Sequence, residues 1–362
     1  MTLALRLAAK GRGTTSPNPM VGALVVKQGR IVGRGFHSRP GRPHAEILAL
    51  RQAGPRARGG TLYVTLEPCC HLKKRTPPCV PAVVQSGVRR VVVAMNDPNA
   101  PVKGKGLAAL RRAGLSVTTG VARREAEALN KAYRHWIRTK RPYVILKAGM
   151  TLDGRIATAS GESRWITGMR SRREVHRLRA GVDAVLVGIG TVLSDDPSLT
   201  ARTGPRLDRP AGRQPLRIVV DSALRIPLRA RILSRQDVAR TLVATTRRAS
   251  AAKLRALRTQ GVETIVLPGE RGRVSVAALL AELGRRGITS LLVEGGSEIN
   301  AAMLRAGLVQ HVRLYMAPVL LGGGNAKGVI GGRSPLRLAQ AVKLKRLVAR
   351  TVGADVVVEG DL

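Results

Sequence analysis

Short apolar runs separated by polar turns recur along the chain, and their periods set the first expectations. Leu3 to Ala9 reads as an opening helix. A rigid loop, Thr14 to Gly22, then enters the apolar run Ala23 to Val26, and the turn Lys27 to Arg30 sends the chain back through Ile31 to Gly35, the pattern of a hairpin. Pro43 suits the first position of a helix that carries His44 and Glu46 and continues through Ile47, Leu48 and Leu50. Thr61 to Leu66 reads as a buried strand. A helix over Val80 to Ser86, a strand over Val88 to Met95, a helix near Leu107 to Ala113 and a strand over Leu115 to Thr118 extend it into a βαβ series. A single helix from Arg123 to about Arg138 closes the unit, and Thr139 to Pro142 marks a boundary.

Beyond the boundary the alternation resumes. Strands are expected at Arg141 to Met150, Ala184 to Val187, Arg217 to Val220, Thr241 to Thr245, Thr264 to Leu267 and Ser290 to Val293. Helices are expected at Arg170 to Ala180, Ala251 to Thr259 and Ser275 to Arg286, and Gly190 to Pro197 reads as a polar loop. Strand–helix alternation predicts two α/β domains, 1–141 and 142–362, each with a covered and largely parallel sheet. A length of 362 residues agrees with two domains of ordinary size. Aromatic residues make up only 2%, so both cores must be built from Val, Leu, Ile and Ala.

Charge alters the picture more than size does. With 63 Lys and Arg against 22 Asp and Glu, the net charge is +41, which attracts nucleic acid and phosphorylated metabolites alike. The arginines are scattered through both halves with no aromatics interleaved to stack on bases, so a solvated basic surface and a small phosphorylated ligand are expected rather than a nucleic-acid partner. No apolar run reaches the length of a membrane span, and the opening run lacks a signal-peptide pattern, so a cytoplasmic protein is expected.

All 3 cysteines lie between Cys69 and Cys79, a poor disulfide framework and a plausible metal set. His44-Ala45-Glu46 followed by Pro68-Cys69 and Cys79 has the residue types of a zinc hydrolase that acts on nucleobases. One imidazole and two thiolates would hold zinc and leave a fourth position for water, whose pKa falls to roughly 7 on the metal. Glu46, not a ligand, would then move protons. Cys79 is expected in the first turn of its helix, where unpaired amides favour a thiolate. In the second half, Glu294-Gly295-Gly296 closes a strand where open α/β sheets bind nucleotides, although it is not the G-x-G-x-x-G fingerprint of a Rossmann domain.

The motifs, in order, resemble a known family. Asn18-Pro19-x-Val21-Gly22, Gly35-x-His37, His44-Ala45-Glu46, Thr65-Leu66-Glu67-Pro68-Cys69 and Thr76-Pro77-Pro78-Cys79 resemble the deaminase half of the RibD family of bifunctional riboflavin-biosynthesis deaminase-reductases. Lys147-x-Gly149-x-x-x-Asp153-Gly154-Arg155, Ser160 to Thr167, Asp195-Asp196-Pro197-x-Leu199-Thr200, Asp221-Ser222 and Glu294-Gly295-Gly296 resemble its reductase half. The resemblance implies a cytidine-deaminase-like αβα domain followed by a dihydrofolate-reductase-like α/β domain. It implies one zinc ion on His44, Cys69 and Cys79 with Glu46 as the catalytic proton carrier, and pyrimidine contacts from Asn18, His37 and Arg75. For NADPH it implies Gly149, Trp165, Thr191, Asp195, Ser222 and the run Gly296, Ser297, Glu298, Ile299, Asn300, Ala301 and Ala302. For the substrate it implies Ser163, Arg179, Leu199, Arg202 and Glu294, with Lys147 and Asp195 as candidates for electrostatic help in hydride transfer.

The chain departs from the family in one place: the loop from Cys69 to Cys79 is one residue longer and has lost a glycine. That bears on where Arg75 and His71 sit, and Cys70 stands beside Cys69 as a second candidate thiol. The competing readings are a tRNA base deaminase with a basic accessory domain, and a reductase joined to an inactive deaminase. Against the first stands the long Cys69 to Cys79 spacing, where such enzymes have P-C-x-x-C. A homo-oligomer is compatible with every reading.

Overall fold

The computed structural model describes residues 1–71, 76–204 and 206–362. The chain forms two compact units, Met1–Lys140 and Arg141–Leu362. No helix among the described residues is long and apolar enough to cross a membrane.

The first unit runs α1 (Thr2–Ala9), β1 (Gly22–Lys27), β2 (Arg30–Phe36), α2 (Ala45–Ala53), β3 (Thr61–Leu66), α3 (Cys79–Gln85), β4 (Arg90–Met95), α4 (Lys105–Arg112), β5 (Ser116–Thr119), α5 (Arg123–Leu129) and α6 (Lys131–Thr139). Its sheet has the order β2-β1-β3-β4-β5. The expected hairpin pairs antiparallel, β1 pairs antiparallel with β3, and the βαβ strands β3, β4 and β5 pair parallel. A core this poor in aromatics closes by bringing backbones together. A Cβ on Gly35 would lie 2.2 Å from the Ala45 carbonyl oxygen, and one on Gly33 would lie 2.0 Å from that of Ala49, so α2 rests directly on the β2 backbone. Ala45, Ala49 and Ala53 fill that contact and are buried with Val25, Leu62 and Val64.

One expected element differs. The single helix over Arg123 to Arg138 is two, broken at Asn130. The buried Asn130 side chain pairs with another backbone instead: Met20 N donates to its Oδ1 at 2.8 Å, and its Nδ2 donates to Met20 O at 3.0 Å. An amide competing for backbone partners in this way interrupts a helix.

The second unit runs β6 (Tyr143–Thr151), β7 (Arg155–Ala157), α7 (Met169–Gly181), β8 (Ala184–Gly188), α8 (Ile189–Asp195), β9 (Arg202–Thr203), β10 (Arg209–Pro210), β11 (Leu216–Val220), β12 (Thr241–Thr245) and α9 (Ala251–Thr259). It continues β13 (Glu263–Val266), β14 (Gly269–Glu270), β15 (Arg273–Val274), α10 (Val276–Arg285), β16 (Ser290–Val293), α11 (Ser297–Arg305), β17 (His311–Ala317), β18 (Lys327–Gly328), β19 (Lys345–Val352) and β20 (Asp355–Asp361). The main sheet has the order β13-β12-β11-β8-β16-β6-β17-β20-β19, parallel from β13 to β17 and antiparallel at β20 and β19. Apolar residues cover both faces of the parallel part.

Two expectations are corrected here. Gly190 to Pro197 is not a loop for most of its length: α8 occupies Ile189–Asp195, because Ile189 and Val192, three residues apart, both bury. The antiparallel end of the sheet was not anticipated, since β19, Lys-Arg-Leu-Val-Ala-Arg-Thr-Val, exposes all but its last residue and shows no apolar face.

Candidate active sites

In the first unit, three element ends converge. His44 is the N-cap of α2, Glu46 lies in its first turn, Cys69 follows the end of β3, and Cys79 opens α3. The amides of Cys79 and Val80 donate to the Cys69 carbonyl at 3.0 and 3.2 Å, tying the two thiol-bearing segments together. His44 Nδ1 lies 3.2 Å from Cys79 Sγ and 3.5 Å from Cys69 Sγ, while its Nε2 lies 3.1 Å from Thr76 Oγ1. Ligand atoms of His44, Cys69 and Cys79 all lie within 4.8 Å of one another, and Cys70 is not in the group.

Glu46 is buried, and its Oε2 has no hydrogen-bond partner. Burial pushes its carboxyl above the usual range, with Cys69 adding to the rise and His44 opposing it. An imidazole and two thiols around an orphaned carboxylate oxygen are a donor set that fits zinc, with a proton-carrying group beside it. His44, Glu46 and Cys69 face a cavity of about 600 Å³ that Asn18, His37, Asp97, Asn99 and Tyr133 also line. Asn18 Nδ2 lies 3.0 Å from His37 Nε2, and the His37 and His44 rings meet edge to face at 5.3 Å. Burial lowers the His37 pKa, partly offset by the Pro43 carbonyl. Arg75 lies outside the described residues.

Sequence reasoning had not singled out Glu67 for its own role or noticed Asp97. The Glu67 carboxylate accepts backbone N–H bonds from Asp97, Gly104, Gly106 and Leu107, closing the loop after β4 onto the start of α4. Asp97 accepts from Tyr133 Oη at 2.8 Å; burial, outweighing its hydrogen bonds, raises it to about 6. Its position just past the carboxyl end of a parallel strand was the available signal.

In the second unit, Glu294 follows β16 and is the centre of a buried ionic cluster. Arg179 of α7 grips it with Nε at 2.5 Å and Nη2 at 3.0 Å, and donates Nη1 to Thr200 O at 3.1 Å. Lys147 of β6 stands 3.5 Å away. Burial opposes the charge on Glu294, but Arg179 and Lys147 outweigh it and hold the carboxyl down to about 2. Burial lowers Lys147, Glu294 partly restoring it, and His176 is lowered to about 4 by burial and by Arg179 and Arg202. Arg202 donates Nη2 to Ser198 Oγ, and its buried Nε has no partner. Leu199 is buried in the core with φ +50°, so its main chain is the part left for a ligand.

The expected cofactor residues gather along the carboxyl ends of adjacent strands. Gly295 has φ +107°, and a Cβ on Gly296 would stand 3.4 Å from Thr191 Oγ1, which leaves a cradle before α11, a helix of 9 residues whose N-cap offers no side chain. That bare helix start suits a phosphate. Ser297 is half-buried and Glu298 exposed there, whereas Ile299, Asn300 and Ala301 are buried and Ala302 half-buried, so most of the run serves as backbone and packing. Ser163 Oγ donates to Asp195 Oδ1 at 3.0 Å, Arg164 bonds the Asp195 carbonyl, and Trp165, 70% exposed, has the Arg172 guanidinium 4.6 Å from its ring. Gly149 sits on β6 with Thr167 against it, and Ser222 follows β11.

Comparison with known proteins finds a match in each unit. Residues 1–95 match the cytidine and deoxycytidylate deaminase zinc-binding region, and residues 142–358 match the RibD C-terminal domain. The chain is 45% identical to the riboflavin biosynthesis protein RibD of Escherichia coli, covering 98% of this chain and 96% of that protein. It is 43% identical to that of Actinobacillus pleuropneumoniae, over 99% and 93% of the two. Among solved structures it is similar to RibD of Acinetobacter baumannii, with a TM-score of 0.87, 38% identity and coverage of 100% and 97%. A deaminase/reductase of Thermotoga maritima is similar at TM-score 0.86 and 36% identity, with the same coverage.

Proposed function

The chain belongs to the RibD family of bifunctional riboflavin-biosynthesis enzymes, zinc-dependent deaminase and NADPH-dependent reductase in one polypeptide, and from that premise we propose how its residues divide the work. Residues 1–141 deaminate 2,5-diamino-6-ribosylamino-4(3H)-pyrimidinone 5′-phosphate, and residues 142–362 reduce the ribosyl chain of the product, giving 5-amino-6-(5-phospho-ribitylamino)uracil.

In the first unit His44, Cys69 and Cys79 hold the metal. Zinc, when bound, supplies a water acidic enough to react near neutral pH. Glu46 would carry one proton of the attacking water to the ring nitrogen and, in a second transfer, the proton of the new hydroxyl to the departing amine, so that a C–O bond forms, the C–N bond breaks and ammonia leaves. Asn18 and His37, already bonded to each other, orient the pyrimidine. In the second unit NADPH, when bound, would supply the hydride, and the part of the protein would be to hold and orient it. Glu294, fixed by Arg179 and Lys147, offers a permanently charged acceptor to a sugar hydroxyl. Because Arg179 is already committed to Glu294, Arg202, with its free Nε, is assigned to the substrate phosphate.

This reading takes the enzyme to work in the cytoplasm on a free metabolite, not on nucleic acid, and is compatible with a homo-oligomer. The observation that carries it is the convergence of His44, Cys69 and Cys79 beside the unpartnered Glu46 oxygen. Its test is ammonia release from the diamino substrate by the zinc-loaded protein, followed by NADPH oxidation on the deaminated product. A protein that oxidises NADPH on that product yet releases no ammonia would sink the deaminase half.

A further inference from the structure

One wall of the cavity that Glu46 faces is a single face of α6. Tyr133, Trp136, Ile137 and Lys140 all line it, at i, i+3, i+4 and i+7, a spacing that stacks side chains along one side of a helix. Exposure rises along this face: Tyr133 is buried, Trp136 and Ile137 are half-buried and Lys140 is exposed. The buried end is tied to the segment that carries Cys69. Tyr133 Oη donates to Asp97 Oδ1 at 2.8 Å, and the Asp97 amide donates to Glu67 Oε2 at 3.1 Å, two residues before that cysteine. From Tyr133 to Lys140 the helix rises roughly 10 Å, enough to run from a pyrimidine at the metal residues past its ribose to a 5′-phosphate.

Lys140 is the only lysine or arginine among the described residues that line the cavity. The carboxylates that share the lining are engaged or buried away from it: Glu67 accepts from four backbone amides, Asp97 from Tyr133 Oη and the Asn99 amide, and Glu46 is buried beside the metal residues. Lys140 Nζ lies 5.1 Å from the centre of the Trp136 ring, which keeps the ammonium at the rim. The Lys140 backbone is left-handed, φ 56° and ψ 25°, and its amide donates to Trp136 O at 2.8 Å, the helix-ending geometry in which glycine is the favoured residue. A helix C-terminus gains from a cation, but Arg138 already supplies one in the last turn. A lysine where glycine would sit more easily, at the open end of a cavity, points to a use for its side chain.

The diamino substrate ends in a phosphomonoester, a group that carries close to two negative charges at neutral pH. An ammonium suits it as a point charge, and the apolar body of an indole suits the sugar that precedes it. We propose that this face of α6 is the subsite for the ribosyl 5′-phosphate arm of the deaminase substrate, with Lys140 holding the phosphate and Trp136 and Ile137 packing against the sugar, and that it makes the deaminase select phosphorylated substrate. The proposal rests on reading the first unit as the deaminase.

Ammonia release by the full, zinc-loaded chain, measured on the diamino substrate and on the same compound without its phosphate, tests it. In Lys140→Gly, KM for the phosphorylated compound should rise tenfold or more, while KM for the unphosphorylated one stays within twofold of the parent's. Inorganic phosphate should inhibit the parent more strongly than the variant, and Lys140→Arg should recover most of the loss. Because glycine suits that backbone, Lys140→Gly should melt no lower than the parent and keep its zinc, which separates the change in KM from a folding defect. An equal rise in KM on both compounds, or no change on either, would overturn the subsite while leaving the deaminase reading in place. A zinc-loaded parent that releases no ammonia from either compound would remove that reading and the subsite with it.

Discussion

Glu46 and Glu294 are both buried glutamates at the centre of a site, and their surroundings push them in opposite directions. Among the described residues Glu46 has no cation of Arg or Lys against it, its Oε2 lacks a hydrogen-bond partner, and burial raises its pKa. Glu294 is held by Arg179 and Lys147 and lies near 2. A carboxyl that must pick up and release protons has to sit near the working pH, whereas one that holds a ligand or steadies charge must not titrate at all. The two environments therefore suit Glu46 to the proton-carrying role proposed for it and Glu294 to that of a fixed charge.

Removing the carriers breaks the comparison most sharply. Glu46→Gln should lower the rate of ammonia release by about 10²–10⁴-fold, the usual contribution of general acid–base catalysis, with zinc content and NADPH oxidation on deaminated substrate unchanged. Elemental analysis and the two rate assays read this, and loss of both activities together would contradict separate sites. Glu294→Gln should instead cost stability, on the order of 3–5 kcal/mol, because it leaves Arg179 and Lys147 buried without their counter-charge. In calorimetry that is a fall of about 10 °C in the transition of the second unit.

The pH dependence of that cost has a definite sign. The Glu294 carboxyl is depressed in the folded chain from 4.5 to about 2, so its contribution is complete above 4.5 and is lost as pH falls through about 2. Scans of the parent and of Glu294→Gln should differ most near pH 6 and draw together as the solution is acidified below 4.5. A gap that stays constant over that window would mean the ion pairs do not supply the stability.

The two sites also differ in how far they could be read in advance. His44, Glu46, Cys69 and Cys79 were legible because metal and proton chemistry restrict residue type and spacing, and the strands and helices that bring them together follow simple apolar periods. The ionic cluster was half legible. Arg179, Arg202 and Glu294 could be named through the resemblance, but that Arg179 would grip Glu294 depends on a contact between residues 115 positions apart, which no local pattern encodes. The Asn130 break and β19 were missed for related reasons: a side chain paired with residues 110 positions away, and an edge strand with no buried face to pattern.

Packing offers a gentler way to sharpen the contrast, since the first site relies on close backbone contact where the second relies on charge. Gly35→Ala places a Cβ 2.2 Å from the Ala45 carbonyl oxygen, at the start of the helix that His44 caps. Overpacking of this kind costs about 1–3 kcal/mol. The expected result is a lower melting transition for the first unit and reduced zinc stoichiometry, with NADP+ binding untouched. Full zinc occupancy at an unchanged melting temperature would show that α2 can move off β2 without disturbing its N-cap.

The smallest expected effect tests whether the Asn130 break serves the site or merely the fold. Asn130 makes two hydrogen bonds to the Met20 backbone, two residues from Asn18, whose amide meets His37 in the cavity. Asn130→Ala removes both bonds, and each net hydrogen bond is worth about 0.5–1.5 kcal/mol, so the unit should remain folded. If the pairing positions the loop, KM for the diamino substrate should rise several-fold while kcat and zinc content hold, because Glu46 and the metal residues lie on other elements. A fall in melting temperature with KM unchanged would assign Asn130 to the fold alone, and would leave Asn18 positioned by its contact with His37 rather than by the break between α5 and α6.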